Sequence, residues 1–331
     1  LGRKRDALLA MERSWKVFEH AIAKGWFSPD ANAAWFIDLA DLFQDDPAEG
    51  EKFVNALVGG ELSSHQLAGL AIYYESLGGE HINKALALLD KGLSLGDGEQ
   101  NTRLRLLMMR GALLVEAGRL DESEKAFRLL AKEANSPLVQ NNLAYVVGVY
   151  LNRPEEGLKI AKEAAKIAPR NGSIVDTVAT MYERLGEYQK AVETYDFLLQ
   201  IEPTNTSAMV KIALLYADHL AQPDRGIVFA ERGRSQKPRS PEVLDALGWC
   251  YYRNGNTERA KETISRSIRN GDTFEAYLHM AQIVMDDLKF EEALGHIRMA
   301  EELAQDEHSR KRNQVLKDDI RKKKLENESG T

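Results

Sequence analysis

Seven histidines, one cysteine and a few acidic pairs are the residues whose chemistry could be catalytic. A metal site needs three or four ligands at short, fixed spacings. His20, His65, His81, His219, His279, His296 and His308 are scattered, and none stands beside a second ligand at such a spacing. Each is expected in a structural or surface role. Cys250 lies between Trp249 and Tyr251. A reactive thiol needs a nearby base or cation, and the spacing offers none, so Cys250 is read as a small buried apolar residue. As the single cysteine it forms no intrachain disulfide. Asp45-Asp46 and Asp286-Asp287 fall in expected turns, where aspartate caps backbone N–H groups. Asn171-Gly172-Ser173 and Asn205-Thr206-Ser207 match a glycosylation acceptor pattern, but they lie between expected helices and are read as caps. The chain has no glycine-rich phosphate loop, Gly-x-Ser-x-Gly elbow, His-Glu-x-x-His or Cys-x-x-Cys. No catalytic residue, metal or cofactor is therefore expected.

Composition narrows the remaining classes. With 44% hydrophobic and 29% charged residues the chain has the make-up of a folded soluble protein. No run reaches the roughly 18 apolar residues that a membrane helix needs, and no signal peptide is visible. A net charge of −7 argues against a nucleic-acid partner, because such partners select a basic face. The chain begins at Leu1 rather than Met, which points to a fragment or a processed product.

The elements that must position any site are set by a repeat. Gly111, Ala144, Ala179, Ala213, Gly248 and Ala281 follow one another at 33, 35, 34, 35 and 33 residues. A period of this length marks one supersecondary unit stacked on copies of itself. In the Ala179 unit, Val175, Val178, Ala179 and Tyr182 share one helical face. Gly186 then supplies the left-handed backbone of a helix end. Tyr188, Ala191, Tyr195 and Leu198 form the apolar face of a second helix, and Pro203 ends it. A lone pair of helices leaves apolar surface exposed, so neighbouring pairs must stack.

The pattern resembles the tetratricopeptide repeat family, and the phrases Asn142-Leu143-Ala144-Tyr145 and Leu244-Asp245-Ala246-Leu247-Gly248-Trp249 look like those of its bacterial members. The residues that carry the resemblance are Leu143-Ala144, Val178-Ala179, Ile212-Ala213, Leu247-Gly248 and Met280-Ala281, the later small residues Ser123, Ala191, Ala260 and Ala293, and the closing Pro169, Pro203 and Pro238. The resemblance implies an all-α, right-handed α-solenoid of helix-turn-helix repeats, and the last helix, with the basic runs Arg310-Lys311-Arg312 and Arg321-Lys322-Lys323-Lys324 and the apolar stripe Leu303, Val315, Leu316 and Ile320, reads as its solvated C-terminal cap. N-terminal helices with degenerate repeats are expected over 1–62, about seven units over 63–305, and the capping helix and tail over 306–331. Residues 3–24 read as one helix, and 326–331 as a disordered end. Two units depart from the pattern. Those at Ala144 and Ala213 carry an extra residue in the turn, at Asn152-Arg153-Pro154 and Ala221-Gln222-Pro223. Gly157 and Gly226 take the small-residue place there. A further unit around Ala71 has a longer turn.

In this family the first helix of each unit lines a groove that binds a protein or peptide. Carried onto this chain, the groove residues are Met108, Asn141, Asn142, Tyr145, Asp176, Thr180, Lys211, Asp245, Trp249, Tyr252 and Arg253, with Ala112, Glu183, Val210, Leu214, Leu278 and Gln282 at equivalent places. Asparagine amides can hydrogen-bond an extended backbone, and Trp and Tyr are frequent binding anchors. Tyr145 and Trp249 could equally pack between adjacent first helices. Asp176 and Asp245 put acid on this wall, which disfavours a terminal carboxylate and favours a basic or aromatic partner.

The leading expectation is a non-enzymatic interaction scaffold in a bacterial envelope or polysaccharide-secretion assembly. Localisation leans to the envelope or periplasm, with the cytoplasm as the alternative. A second reading is the docking arm of a larger enzyme. A third is self-assembly into a homo-oligomer through Trp15, Phe18, Trp26, Phe27, Trp35 and Phe36. The alternative for those aromatics is an internal N-terminal core.

Overall fold

A computed structural model of the chain describes residues 6–15, 33–58, 60–96 and 100–329. Every regular element among them is helical, and no strand is present. The chain divides into two compact units, Leu1–Ile167 and Ala168–Thr331.

The first unit begins with α1 (6–15). It continues with α2 (Ala33–Leu42), α3 (Pro47–Val58), α4 (Ser64–Leu77), α5 (Ile82–Leu95), α6 (Gln100–Glu116), α7 (Leu120–Glu133), α8 (Pro137–Tyr145) and α9 (Pro154–Ile167). Helices α4 and α5, α6 and α7, and α8 and α9 pair as hairpins. The second unit holds the hairpins α10 (Gly172–Arg184) with α11 (Tyr188–Ile201), α12 (Thr206–Asp218) with α13 (Pro223–Gln236), α14 (Pro241–Arg253) with α15 (Thr257–Asn270), and α16 (Phe274–Asp286) with α17 (Phe290–Leu303). It closes on α18 (Glu307–Ser329).

Local chemistry sets the helix ends. Asn171, Asn205, Ser240, Asn256 and Thr273 each accept a backbone N–H in the first turn of the next helix, which satisfies one of the donors a helix start leaves open. The two glycosylation-like triplets are therefore caps in place. At the other end, Gly118, Gly186 and Gly255 sit at φ 71°, 71° and 81°. The residue after each glycine bonds back to the carbonyl five positions earlier, as in Arg119 N–H to Leu114 O at 2.8 Å. The two units with an extra turn residue use Asn152 and Ala221 at φ 52° and 51° instead. There the closing bond spans six residues, Arg153 N–H to Val147 O at 3.0 Å and Gln222 N–H to Tyr216 O at 2.9 Å. In the first of these the extra residue is taken up by a π-helical turn over Val146–Tyr150.

The recurring small residues let paired helices touch. A Cβ on Gly248 would lie 2.5 Å from Ile264 Cγ1, and one on Gly226 would lie 2.7 Å from the Ala213 carbonyl oxygen. Ser123 fills its small place with a hydroxyl that donates to Gly111 O at 2.7 Å. Cys250 is buried, and burial pushes its thiol up to about 12.

At the N-terminus Trp15, Trp35 and Phe36 are buried against one another, with the Trp15 and Trp35 rings 4.9 Å apart. The Trp35 indole donates to Met11 O at 3.1 Å. These three rings form an internal core, so they are not the open aromatic face that self-assembly would need. Phe18, Trp26 and Phe27 lie outside the described residues, as does the rest of the helix expected over 3–24.

Two further expectations change. Asp46 accepts the Glu49 N–H at 3.1 Å as a cap should, but Asp286 and Asp287 bind side chains, Tyr252 and Lys323 for the former and Lys261 for the latter. Both stand at the C-terminal end of α16, where the free backbone groups are carbonyls and an acid has nothing to cap. The end expected to be disordered is helical through Ser329. Lys322 to Glu326 and Lys324 to Glu328 extend it with spaced ion pairs.

Candidate functional site

In both units the first helices of successive hairpins stand side by side, so residues one repeat apart meet. Their side chains form two grooves of different chemistry.

The first unit holds a groove of about 560 Å³ lined by Ile72, Leu104, Met108, Met109 and Val139, with Glu75 and Arg105 as its charged groups. Burial raises the Glu75 carboxyl, and the charge of Glu116 adds to this. Asn142 donates from Nδ2 to the Met108 sulfur at 3.3 Å, across 34 residues of sequence. Asn141 is buried, and its Oδ1 accepts no hydrogen bond among the described residues. Tyr145 is half-buried with its ring edge-to-face on Tyr150, at 5.6 Å and 69°. The sequence expectation thus brings together Met108 and Asn142, with Asn141 and Tyr145 on the same short helix.

In the second unit Asp176 is half-buried. Burial raises its carboxyl, Lys211 works against this, and Glu183 works with it. Lys211 is exposed and lies 3.5 Å from Glu183. Thr180 Oγ1 and the Tyr195 hydroxyl share a hydrogen bond of 3.3 Å.

Further along, Asp245, Trp249, Tyr252 and Arg253 belong to one network. Asp245 is only 4% exposed and bonds His279 Nδ1 at 2.9 Å. It therefore lies under the wall rather than on it, and its charge is matched from within. The His279 ring stacks on Trp249 at 4.1 Å and 13°. The Trp249 indole N–H donates to Asp218 Oδ1 at 2.9 Å, and Arg253 donates to the same oxygen at 2.5 Å. Tyr252 donates to Asp286, which also accepts from Lys323 and Gln282. Burial and this bond to Asp286 push the Tyr252 hydroxyl up to about 12. Burial works to lower the imidazolium pKa of His279, but the charge and hydrogen bond of Asp245 outweigh it, and the net direction is upward. Trp249 thus packs between first helices, yet it also lines a groove of about 560 Å³ with Leu278, Gln282 and residues of α18.

Asp218, His279 and the groove side of α18 were not picked out from the sequence. A signal for His279 was present. Asp245 and His279 are 34 residues apart, one repeat period, so they occupy the same place on adjacent first helices. Helix α18 is seated by Arg312 on Glu275 at 2.5 and 2.7 Å, Lys317 on Glu301 at 2.9 Å and Lys324 on Glu291 at 2.6 Å. Its Ile320 is buried in the α16–α17 core. Four basic side chains of α18, Arg312, Lys317, Lys323 and Lys324, thus anchor it to neighbouring helices.

Stacked helical hairpins with a capping helix and grooves built from first helices define a repeat scaffold of the α-solenoid class. The comparisons with known proteins agree. A family model described as anaphase-promoting complex, cyclosome, subunit 3 matches residues 207–300. A TPR repeat-containing protein of Pseudomonas aeruginosa is 21% identical over 195 residues, 59% of this chain and 33% of that protein. Cellulose synthase operon protein C of Pseudomonas fluorescens is 24% identical over 176 residues, 53% of this chain and 13% of that protein. This chain thus spans about a third or less of the curated relatives just named. Among solved structures, a tetratricopeptide repeat protein from Parabacteroides merdae superposes with a TM-score of 0.65 at 17% identity, covering 77% of this chain and 98% of that one. The structure of PilW, a type IV pilus biogenesis factor, gives 0.54 at 16% identity, covering 62% and 93%. The chain has the tetratricopeptide repeat fold, one that supports a scaffold for protein–protein interaction. No described helix is long and apolar enough to cross a membrane.

Proposed function

We propose that this chain is a non-enzymatic scaffold that holds a protein or peptide segment in its first-helix grooves. The observation that carries this reading is the groove of the second unit. Its floor offers Trp249 and Leu278, the polar groups of its first-helix wall are already fixed by one another, and its volume of about 560 Å³ suits a few side chains of a partner. A prearranged wall loses little freedom when a partner docks. The groove of the first unit supports the same reading, because methionine side chains adapt to varied apolar partners. Placement in a bacterial envelope or polysaccharide-secretion assembly is supported by the likeness to cellulose synthase operon protein C. A second reading, a docking arm within a longer polypeptide, is supported by the length of the curated relatives.

The test compares capture from a bacterial lysate by the wild-type chain and by two variants of confirmed helicity, Val315→Glu and Met108→Glu. Each places a charge in one groove without removing a member of the polar network around Trp249. A protein retained by the wild type and lost by either variant supports groove binding. Equal retention by all three moves the site off the grooves and sinks the reading.

A further inference from the structure

The groove side of α18 carries an ordered stripe. His308, Lys311, Val315 and Asp319 line the groove at successive steps of three or four residues, which places them on one helical face. Read along the helix, the stripe runs from cation to aliphatic to carboxylate. Most other charges around this groove are consumed. Arg312 is bound by Glu275, Arg253 by Asp218, Lys323 by Asp286, and Asp245 by His279. Lys311 and Asp319 are different: both are exposed, and neither makes an ion pair or hydrogen bond among the described residues. Between them Val315 is 55% exposed, facing a groove that also contains Trp249 and Leu278.

The spacing of the two unspent charges fixes a ruler. Lys311 and Asp319 are eight helical steps apart, a rise of about 12 Å. An extended chain rises about 3.3 Å per residue and points alternate side chains to one side. Residues i, i+2 and i+4 of such a chain therefore span about 13 Å on one face. We propose that this stripe docks an extended segment of a partner protein with the pattern acid–x–bulky apolar–x–base, in either chain direction. The acid meets Lys311, the apolar side chain fills the groove over Val315, Leu278 and Trp249, and the base meets Asp319. This rests on the reading of the groove as a protein-binding site and adds the chemistry of what enters it.

The test uses four fluorescein-labelled peptides with Gly-Ser flanks around Glu-Ala-Phe-Ala-Lys, Glu-Ala-Phe-Ala-Glu, Lys-Ala-Phe-Ala-Lys and Gln-Ala-Phe-Ala-Gln. Anisotropy titrations are run on the full chain, its Lys311→Glu and Asp319→Lys variants, and Val315→Glu. Neither charge reversal removes a contact that holds the fold. The wild type is expected to prefer the Glu–Phe–Lys peptide about threefold over either like-charged peptide at low salt, the scale of an exposed ion pair. Lys311→Glu moves the preference to the Lys–Phe–Lys peptide, and Asp319→Lys moves it to Glu–Phe–Glu. One ranking shared by all proteins overturns the charge assignment. If Val315→Glu then abolishes that binding, the groove reading itself survives. No binding of any peptide up to about 1 mM overturns the assignment of this stripe, while the lysate comparison still decides the groove reading.

Discussion

The two grooves have similar volumes and opposite construction. In the first unit the wall is thioether and aliphatic, and one asparagine-to-sulfur bond links neighbouring first helices. In the second, a chain of bonds from Arg253 through Asp218, Trp249, His279 and Asp245 ties three first helices together. The difference shows two ways of presenting a surface on one scaffold. Methionine side chains have three rotatable bonds and reshape cheaply. A satisfied polar network, buried at Asp245 and Trp249, holds each side chain in one place, and a buried member left alone becomes costly.

The comparison breaks most sharply at Asp245. Asp245→Ala leaves the half-buried His279 without its hydrogen-bonded counter-charge, with only the more distant Glu275 and Asp218 near it, and is expected to destabilise the second unit by about 2 kcal/mol. Hydrogen exchange resolved by helix should show lost protection in α14 and α16, with α6 and α8 unchanged. If α14 and α16 keep their protection, the network is not what orders this groove.

Glycine substitutions come next. Gly226→Ala would drive a methyl against a backbone carbonyl that has no rotamer to escape to, a cost of about 2 kcal/mol. Gly111→Ala meets the Phe127 ring at 2.8 Å. A side chain can shift where a backbone cannot, so about 1 kcal/mol is expected there. Urea melts of both variants give the order, and a reversed order would contradict the packing described for the two hairpins.

A pH series sharpens the contrast. The folded pKa of His279 lies above its ordinary value near 6.5. Its contribution is therefore complete below that pH and is lost as pH rises through the folded value. Unfolding of the second unit should become easier from near neutral pH upward, and Asp245→Asn should flatten this dependence. A slope that survives Asp245→Asn would assign the titration to another group.

The smallest effects lie at the surface. Asn142→Ala removes a weak N–H to sulfur bond in the first unit and should cost under about 1 kcal/mol. Leu288 is 61% exposed and holds φ 63° at the end of α16, where other units use glycine. Leu288→Gly should raise stability by about 0.5 kcal/mol, because the left-handed backbone penalises a side chain. Thermal melts check both, and a loss of stability in Leu288→Gly would mean the leucine side chain packs more than its exposure implies.

Much of the fold was legible because its signals are local. Gly118, Gly186 and Gly255 stop helices by backbone geometry alone, and Asn171 and Asn205 start them through a side chain three residues away. The extra residue at Asn152 and Ala221 was visible as a break in the period, although the π-helical turn that absorbs it at Val146–Tyr150 was not. Asp286 and Asp287 misled because an acidic pair in a turn looks the same at either end of a helix. The chemistry of the site was less legible. Asp245 reads as a groove acid until His279 is seen bound to it.

The sequence by itself determined the repeat, its period, the helix ends and the face each helix turns inward. These follow from contacts within a few residues, or from one interval repeated many times. Only the tertiary structure decided which polar groups are spent on neighbouring helices and which are left unspent. Arg312 and Lys311 are adjacent and alike in charge, yet one is held by Glu275 and the other stands open to the groove. Nothing local separates them, because the outcome depends on which residue the packed neighbouring helix brings within reach.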